Sequence, residues 1–175
     1  MPHPLETERL TLRPFTMDDI DAAFEALEGH PDVWKYDPGV PRTKEERAAI
    51  IQKYAITNDF DSCGTLAVTF NADGHLIGYV GLQFYLLPRQ PFATPEVELY
   101  YKLGRDYWGQ GYASEACRTM IRFAFDEMRL QHIVTITDKQ NQESIRLLER
   151  LGMRIEDAPP AWDGMLMATL EHDKR

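Results

Sequence analysis

The sequence predicts an α+β fold with a largely antiparallel central sheet and helices on both faces. Three observations predict it. Segments with the two-residue period of a strand are interleaved with segments of helical period. Short apolar runs in the middle of the chain are separated by hairpin signals. A strand–helix–strand unit over residues 96–137 calls for a parallel, right-handed crossover. The 175 residues contain no internal repeat, low-complexity run or long linker, and suit one domain over 1–175.

Leu10, Thr11, Leu12 and Arg13 alternate as a half-buried strand does, and Pro14 ends it. Thr16, three residues before Asp19, caps a helix running to about residue 27. Thr43 and Glu46 form a capping box, opening a second helix that reaches about residue 54. Leu66, Val68 and Phe70 mark a strand, and Asp73-Gly74 supplies the turn after it. The return strand over residues 76–85 is apolar almost throughout, which predicts burial on both faces. Pro88, Pro91 and Pro95 predict a loop. In the strand over residues 96–103, Val97, Leu99, Tyr101 and Leu103 share one face, and Glu96, Glu98, Tyr100 and Lys102 share the other.

After a Gly-containing turn, Ala113, Ala116, Cys117, Met120, Ile121, Ala124 and Phe125 repeat at helical spacing. Residues 132–137 read as a short buried strand. Ile145, Leu148 and Leu151 define a last helix, with Gly152 where a left-handed residue is wanted. A final strand covers residues 165–170, and one more is expected near Arg154.

Composition narrows the function. The hydrophobic fraction is 43%, the charged fraction 27% and the formal net charge −9, with a pI of about 5.0. Such a chain is repelled by nucleic-acid backbones and anionic membranes, so neither is expected as a partner. It is compatible with a cationic substrate, although solubility alone accounts for the charge. Two distant cysteines, Cys63 and Cys117, suggest no disulfide framework, and Cys117 reads as a small core residue. No signal-peptide core opens the chain, and the most apolar stretch, residues 76–87, is too short to span a bilayer. The expected location is cytoplasmic. The five histidines show no metal-ligand spacing, so no metal is expected.

The chemistry concentrates in Arg105-Asp106-Tyr107-Trp108-Gly109-Gln110-Gly111-Tyr112-Ala113-Ser114-Glu115-Ala116, which joins a strand to a helix. Small residues at 109, 111, 113 and 114 let a ligand approach the backbone. The unpaired N–H groups of the helix's first turn favour an anion there. This is a phosphate cradle with no basic side chain of its own. A tight turn before a helix needs the same glycines, and spacing alone does not separate the two readings. There is no G-x-x-x-x-G-K-[ST], and the G-x-G does not open the first strand–helix unit as a dinucleotide fold requires. Further on, Asn141 can cap the last helix, with Ser144 in its first turn.

Taken in order, these stretches resemble the GNAT superfamily, in particular its RimJ/RimL-type N-acetyltransferases. The resemblance runs from Leu5-Glu6-Thr7-Glu8-Arg9-Leu10-Thr11-Leu12-Arg13-Pro14 through Leu76-Ile77-Gly78-Tyr79-Val80-Gly81-Leu82 and Trp108-Gly109-Gln110-Gly111-Tyr112-Ala113-Ser114-Glu115-Ala116. It closes with Asn141-x-x-Ser144 and Leu151-Gly152. It implies a GNAT-like mixed sheet and acetyl-CoA as cosubstrate. The pyrophosphate would lie over Trp108, Gly109, Gln110, Gly111, Tyr112 and Ala113, with Ser114 nearby. Pantetheine would run along the strand at Tyr101, Lys102 and Leu103, in a slot opened where that strand splays from residues 132–137. Asn141 would contact the pantetheine arm and Ser144 would sit near the sulfur.

The sequence departs from the wider superfamily in two places. Trp108 stands where many members have Arg or Gln. Leu148 stands where many branches carry a tyrosine general acid, and leucine donates no proton. Ser144 or water must therefore protonate the leaving thiolate, or it leaves as the anion. Met153, in place of a common phenylalanine, reads as core filler.

Acetyl transfer needs a neutral amine, a donor for the developing oxyanion and a route for the departing proton. Backbone N–H groups near Tyr101 can serve the oxyanion. Glu98 is the best base, although a carboxylate on an exposed face could equally pair with a cation, and Glu96 reads as a rim residue. The resemblance implies that residues 32–40 and 88–95 flank the acceptor slot, where Trp34, Tyr36 and Asp37 are the substrate-binding candidates. Local packing is the competing account of those aromatics. The expected activity is acetylation of a primary amine, on a protein N-terminus or a small molecule, by a monomer or homodimer. The other class is a non-catalytic acyl-CoA-binding sensor on the same fold.

Overall fold

A computed structural model describes residues 3–36, 40–57, 63–88 and 93–172. The strands are β1 (Leu5–Glu6), β2 (Leu10–Pro14), β3 (Gly64–Phe70), β4 (Leu76–Pro88), β5 (Ala93–Leu103), β6 (His132–Asp138), β7 (Arg154–Asp157) and β8 (Met165–Glu171). They form one sheet in the order β1-β2-β3-β4-β5-β6-β8-β7. Every neighbouring pair is antiparallel except β5 and β6. The helices are α1 (Ile20–Glu28), α2 (Lys44–Thr57), α3 (Tyr112–Arg122) and α4 (Gln142–Arg150).

Strand alternation divides the core. Leu66 and Val68 point to one face of the sheet, where Cys117 and Met120 of α3 and Leu147 and Leu148 of α4 pack. Ala67, between them in the chain, points to the other face, where Leu27 of α1 and Ile51 of α2 pack. Each fully buried leucine or isoleucine contributes about 2 kcal/mol. Met153 belongs to the first cluster, as core filler should.

The helix starts follow the sequence. Glu46 accepts from the Thr43 N–H at 2.8 Å, and the Thr43 hydroxyl accepts from the Glu46 N–H at 3.2 Å. Asp19 accepts from the Thr16 N–H at 2.8 Å and is paired with Arg13. Burial alone would raise the Asp19 carboxyl; the Arg13 hydrogen bond and the Thr16 N–H outweigh it and hold it below its ordinary value. Gly152 is left-handed, at φ 79°.

Three features differ from expectation. The two-residue strand β1 is too short to show a period in the sequence. The predicted proline loop is shorter, since β4 runs to Pro88 and β5 begins at Ala93; Pro91 lies outside the described residues. Pro88 and Pro95 are tolerated because the hairpin outruns its neighbours: β3 pairs with β4 only as far as Leu82, and the registered β5–β6 pair is at Glu98, with β6 beginning at His132. Each proline therefore stands on a strand with one partner, where a missing N–H breaks no second ladder. Two-sided burial of β4 likewise holds only while β3 covers it, and Phe84 is 72% exposed.

The crossover from β5 through α3 to β6 positions the site. These parallel strands share a single registered pair, Glu98↔Val134. Beyond it they diverge.

Candidate active site

The turn after β5 is built around backbone conformation. Trp108 donates its indole N–H to the Leu103 carbonyl at 2.8 Å, folding the turn back on the strand end. Gly109 and Gly111 then take φ of 73° and 85°, the left-handed region that side chains disfavour. A Cβ at Gly109 would meet nothing within 4 Å, and one at Gly111 only Arg9 Nη2, at 3.4 Å. The first helical bond of α3 runs from the Glu115 N–H to the Gly111 carbonyl at 3.0 Å. The N–H groups of Tyr112, Ala113 and Ser114 thus have no acceptor within the helix, and the helix dipole adds a positive end.

A basic side chain does reach this turn, which the motif alone did not reveal. Arg9 donates to the Gln110 carbonyl at 3.1 Å and stacks over the Tyr112 ring at 4.4 Å. It is held by Glu115 at 2.7 Å, and Glu115 also accepts from Thr7. Burial would raise the Glu115 carboxyl, but Thr7 and Arg9 hold it below the usual carboxylate range. Arg9 and Glu115 are 106 residues apart, so no local spacing could have linked them.

A cavity of 1330 Å³ opens between the diverging strands and the turn. Its lining includes Glu98, Tyr101, Lys102, Leu103, Trp108, Gly109, Gly111, Tyr112, Ala113, Ser114, Asn141 and Ser144 from the predicted set, and Tyr36. Gln110 is not in the lining; its carbonyl anchors Arg9 and its side chain donates to the Asp106 carbonyl.

The start of α4 brings two of these residues together. Asn141 caps the helix by accepting from the Ser144 N–H at 3.1 Å. The Ser144 hydroxyl lies 2.9 Å from the Tyr101 hydroxyl. Burial pushes the Tyr101 phenol well above its ordinary value. Leu148, by contrast, is fully buried in the core.

Glu98 is 9% exposed, at the registered ladder pair between β5 and β6. Gln83 donates to its Oε2 at 2.7 Å. Next to it, the Thr135 hydroxyl of β6 donates to the Leu99 carbonyl of β5. Glu96 is not a rim residue: it is 6% exposed and in contact with His132 Nε2, because β6 covers that end of β5.

The acceptor candidates separate. Trp34 does not line the cavity. It is 1% exposed, donates to the Leu27 carbonyl at 2.6 Å, and lies under the Lys102 ammonium, 3.7 Å from the ring centre. Its indole is core, with a cation on its face. Tyr36 lines the cavity and donates to the Gln140 carbonyl at 3.2 Å, bridging two loops. Asp37 lies outside the described residues.

Comparison with known proteins gives the family and the fold. The uncharacterized N-acetyltransferase YnaD of Bacillus subtilis (strain 168) is 28% identical over 177 residues, covering 97% of this chain and 98% of its own. An acetyltransferase from Agrobacterium tumefaciens str. C58 superposes with a TM-score of 0.80 at 27% identity, over 98% of this chain and 96% of that one. RimL, a ribosomal L7/L12 alpha-N-protein acetyltransferase solved in complex with coenzyme A, has a TM-score of 0.77 over 99% of this chain and 100% of its own; at 15% identity this is likeness of fold. The acetyltransferase (GNAT) domain family matches residues 9–154, a span that holds the diverging strands, the glycine turn and the Asn141–Ser144 cap, and the chain belongs to the GNAT acetyltransferase family.

Proposed function

We propose that this chain is an N-acetyltransferase of the RimJ/RimL-like branch, moving the acetyl group of acetyl-CoA to a primary amine by direct attack in a ternary complex. The observation that carries the reading is that Glu98, Ser144 and, from the glycine turn, Gly109 and Gly111 through Ser114 line one cavity at the divergence of β5 from β6. The unpaired N–H groups of Tyr112, Ala113 and Ser114 suit a pyrophosphate. The backbone of Tyr101, Lys102 and Leu103, past the last β5–β6 pair, suits an extended amide-bearing chain laid beside the strand, with Asn141 across from it.

Each chemical step then falls to a residue of this chain. The cosubstrate supplies the acetyl group as a thioester. Glu98 takes the proton of the incoming ammonium or of the attacking amine, directly or through a water. A backbone N–H near Tyr101 stabilises the oxyanion as the C–N bond forms. Ser144 shares its hydrogen with the sulfur as the C–S bond breaks and the electron pair stays on sulfur. Glu98 passes the proton lost at nitrogen to water and the thiolate takes one from water, so a neutral amine and a thioester give an amide and a thiol with no net proton, and an ammonium acceptor releases one more. Protein α-amines are the first acceptors to test, given the RimL fold likeness, and small amines the second. Among the described residues, no helix is long and apolar enough to cross a membrane. We place the reaction in the cytoplasm, where acetyl-CoA is made and used.

Two measurements test the reading. Acetyl-CoA at about a hundred times its dissociation constant should stabilise folding by about 2.7 kcal/mol. Thiol release from acetyl-CoA should accelerate with at least one member of a panel of N-terminal peptides, spermidine and free amino acids. A melting curve unmoved by millimolar acetyl-CoA would sink the proposal.

A further inference from the structure

We propose that Tyr101 is a positioning residue for Ser144: its phenol donates to the Ser144 oxygen and thereby turns the single serine hydrogen into the cavity. The inference rests on the reading above, in which Ser144 assists the leaving sulfur.

A serine hydroxyl has one hydrogen and two lone pairs, and it rotates to the best acceptor available. In the first turn of a helix it readily turns to the backbone. A serine that must face a departing thiolate therefore needs something to occupy its oxygen. Two contacts hold Ser144. Asn141 accepts from its backbone N–H at 3.1 Å, which fixes where the residue sits. Tyr101 lies 2.9 Å from its oxygen, which can fix where the hydrogen points. Both residues line the cavity, and the Tyr101 ring packs against the core formed with α3.

The direction of the hydrogen bond follows from the two hydroxyls: the phenol is the more acidic O–H and its oxygen the poorer acceptor, so Tyr101 donates and Ser144 accepts across the 2.9 Å contact. Burial holds the Tyr101 phenol far above its ordinary pKa, so it stays a neutral O–H donor at any working pH. For the same reason it is a poor final source of a proton, because a buried tyrosinate would be left behind. Tyr101 therefore orients and does not titrate. As the C–S bond breaks and its electron pair stays on sulfur, the serine O–H hydrogen-bonds the developing thiolate while the phenol hydrogen holds the serine oxygen. The thiolate then takes a proton from water and Glu98 releases the amine's proton to water, so Tyr101 and Ser144 both end as they began.

Tyr101→Phe keeps the ring and removes the donor. The assay is CoA release from acetyl-CoA, with water and with the best amine of the panel as acceptor, in wild type, Tyr101→Phe, Ser144→Ala and the double variant. We expect Tyr101→Phe to lower kcat about tenfold with the KM for acetyl-CoA and the melting temperature unchanged, the scale of one lost hydrogen bond at the reacting atoms. In the Ser144→Ala background the same substitution should change kcat less than about twofold, since nothing remains to orient. An equal loss in both backgrounds would show that Tyr101 acts alone, and an unchanged kcat that it merely packs; either overturns the inference. If Ser144→Ala itself leaves kcat unaltered, the assignment of Ser144 fails first and takes this one with it.

Discussion

The two sides of β5 are built on different principles. Toward α3 and α4, the binding surface is mostly main chain: left-handed Gly109 and Gly111, the open N–H groups of a helix start, a strand edge without a partner. Toward α1 and α2, it is side chains brought from far apart: Gln83 on Glu98, Lys102 over Trp34, Tyr36 reaching to Gln140. A main-chain site constrains residue type at each position and so writes itself locally into the sequence. A side-chain site constrains pairs of positions, which one sequence does not reveal. On the proposed reading, the first side holds the cosubstrate and the second meets the acceptor.

Substitutions can sharpen that contrast. The largest effect is expected at Gly111→Val, which should abolish measurable acetyl-CoA binding by calorimetry while the fold persists. A branched side chain is strained at φ 85° and stands in the space over the turn. Gly74→Val is the control: it sits at φ 73° in the β3–β4 turn, has nothing near its Cβ, and should bear the same strain with binding intact. Equal loss in both would mean that strain, not the cradle, governs binding.

On the acceptor side, Glu98→Gln should lower turnover about a hundredfold or more near neutrality. The deficit should shrink toward pH 9.5 as the acceptor amine, with a reference pKa near 8 for an α-amine, deprotonates in solution. A deficit constant across pH would mean that Glu98 binds the ammonium and does not accept its proton.

Glu28→Ala should act on stability and leave cosubstrate affinity alone. Glu28 and Arg47 form an ion pair at 2.5 Å with side chains 2% and 1% exposed, and Glu28 also accepts from the Arg42 N–H. Removing the carboxylate strands a buried guanidinium beneath Trp34 and costs about 3 kcal/mol, read as a lower denaturation midpoint. Weaker acetyl-CoA binding in the folded variant would break the separation of the two sides. The smallest effect belongs to Tyr36→Phe. Loss of one exposed hydrogen bond to the Gln140 carbonyl should raise the acceptor KM about twofold with kcat unchanged.

The fold was legible wherever period and punctuation agreed. The Thr43–Glu46 capping box, the Asp73-Gly74 turn and the facing pattern of residues 97–103 each followed from residues a few positions apart. Of the site, the glycine turn and the Asn141 cap were legible for the same reason. Arg9 at the turn and Tyr101 on Ser144 were not, because each contact spans tens of residues. Trp34 misled because a tryptophan near a binding loop and one filling a core look alike until its indole is seen bonded to Leu27. The burial of Glu96 was hidden similarly, since only the return of β6 encloses it.

Because β5 and β6 share one registered pair, the sheet is two ladders abutting, β1 to β5 and β6–β8–β7. Amide exchange under native conditions should resolve two cooperative units, with α3 as the splint between them. A ligand laid in the gap through its own amides would supply rungs that the protein lacks. Acetyl-CoA should then fuse the two units, slowing exchange in β6 and β8 well beyond the residues it touches, so that the cosubstrate becomes a temporary strand of the fold.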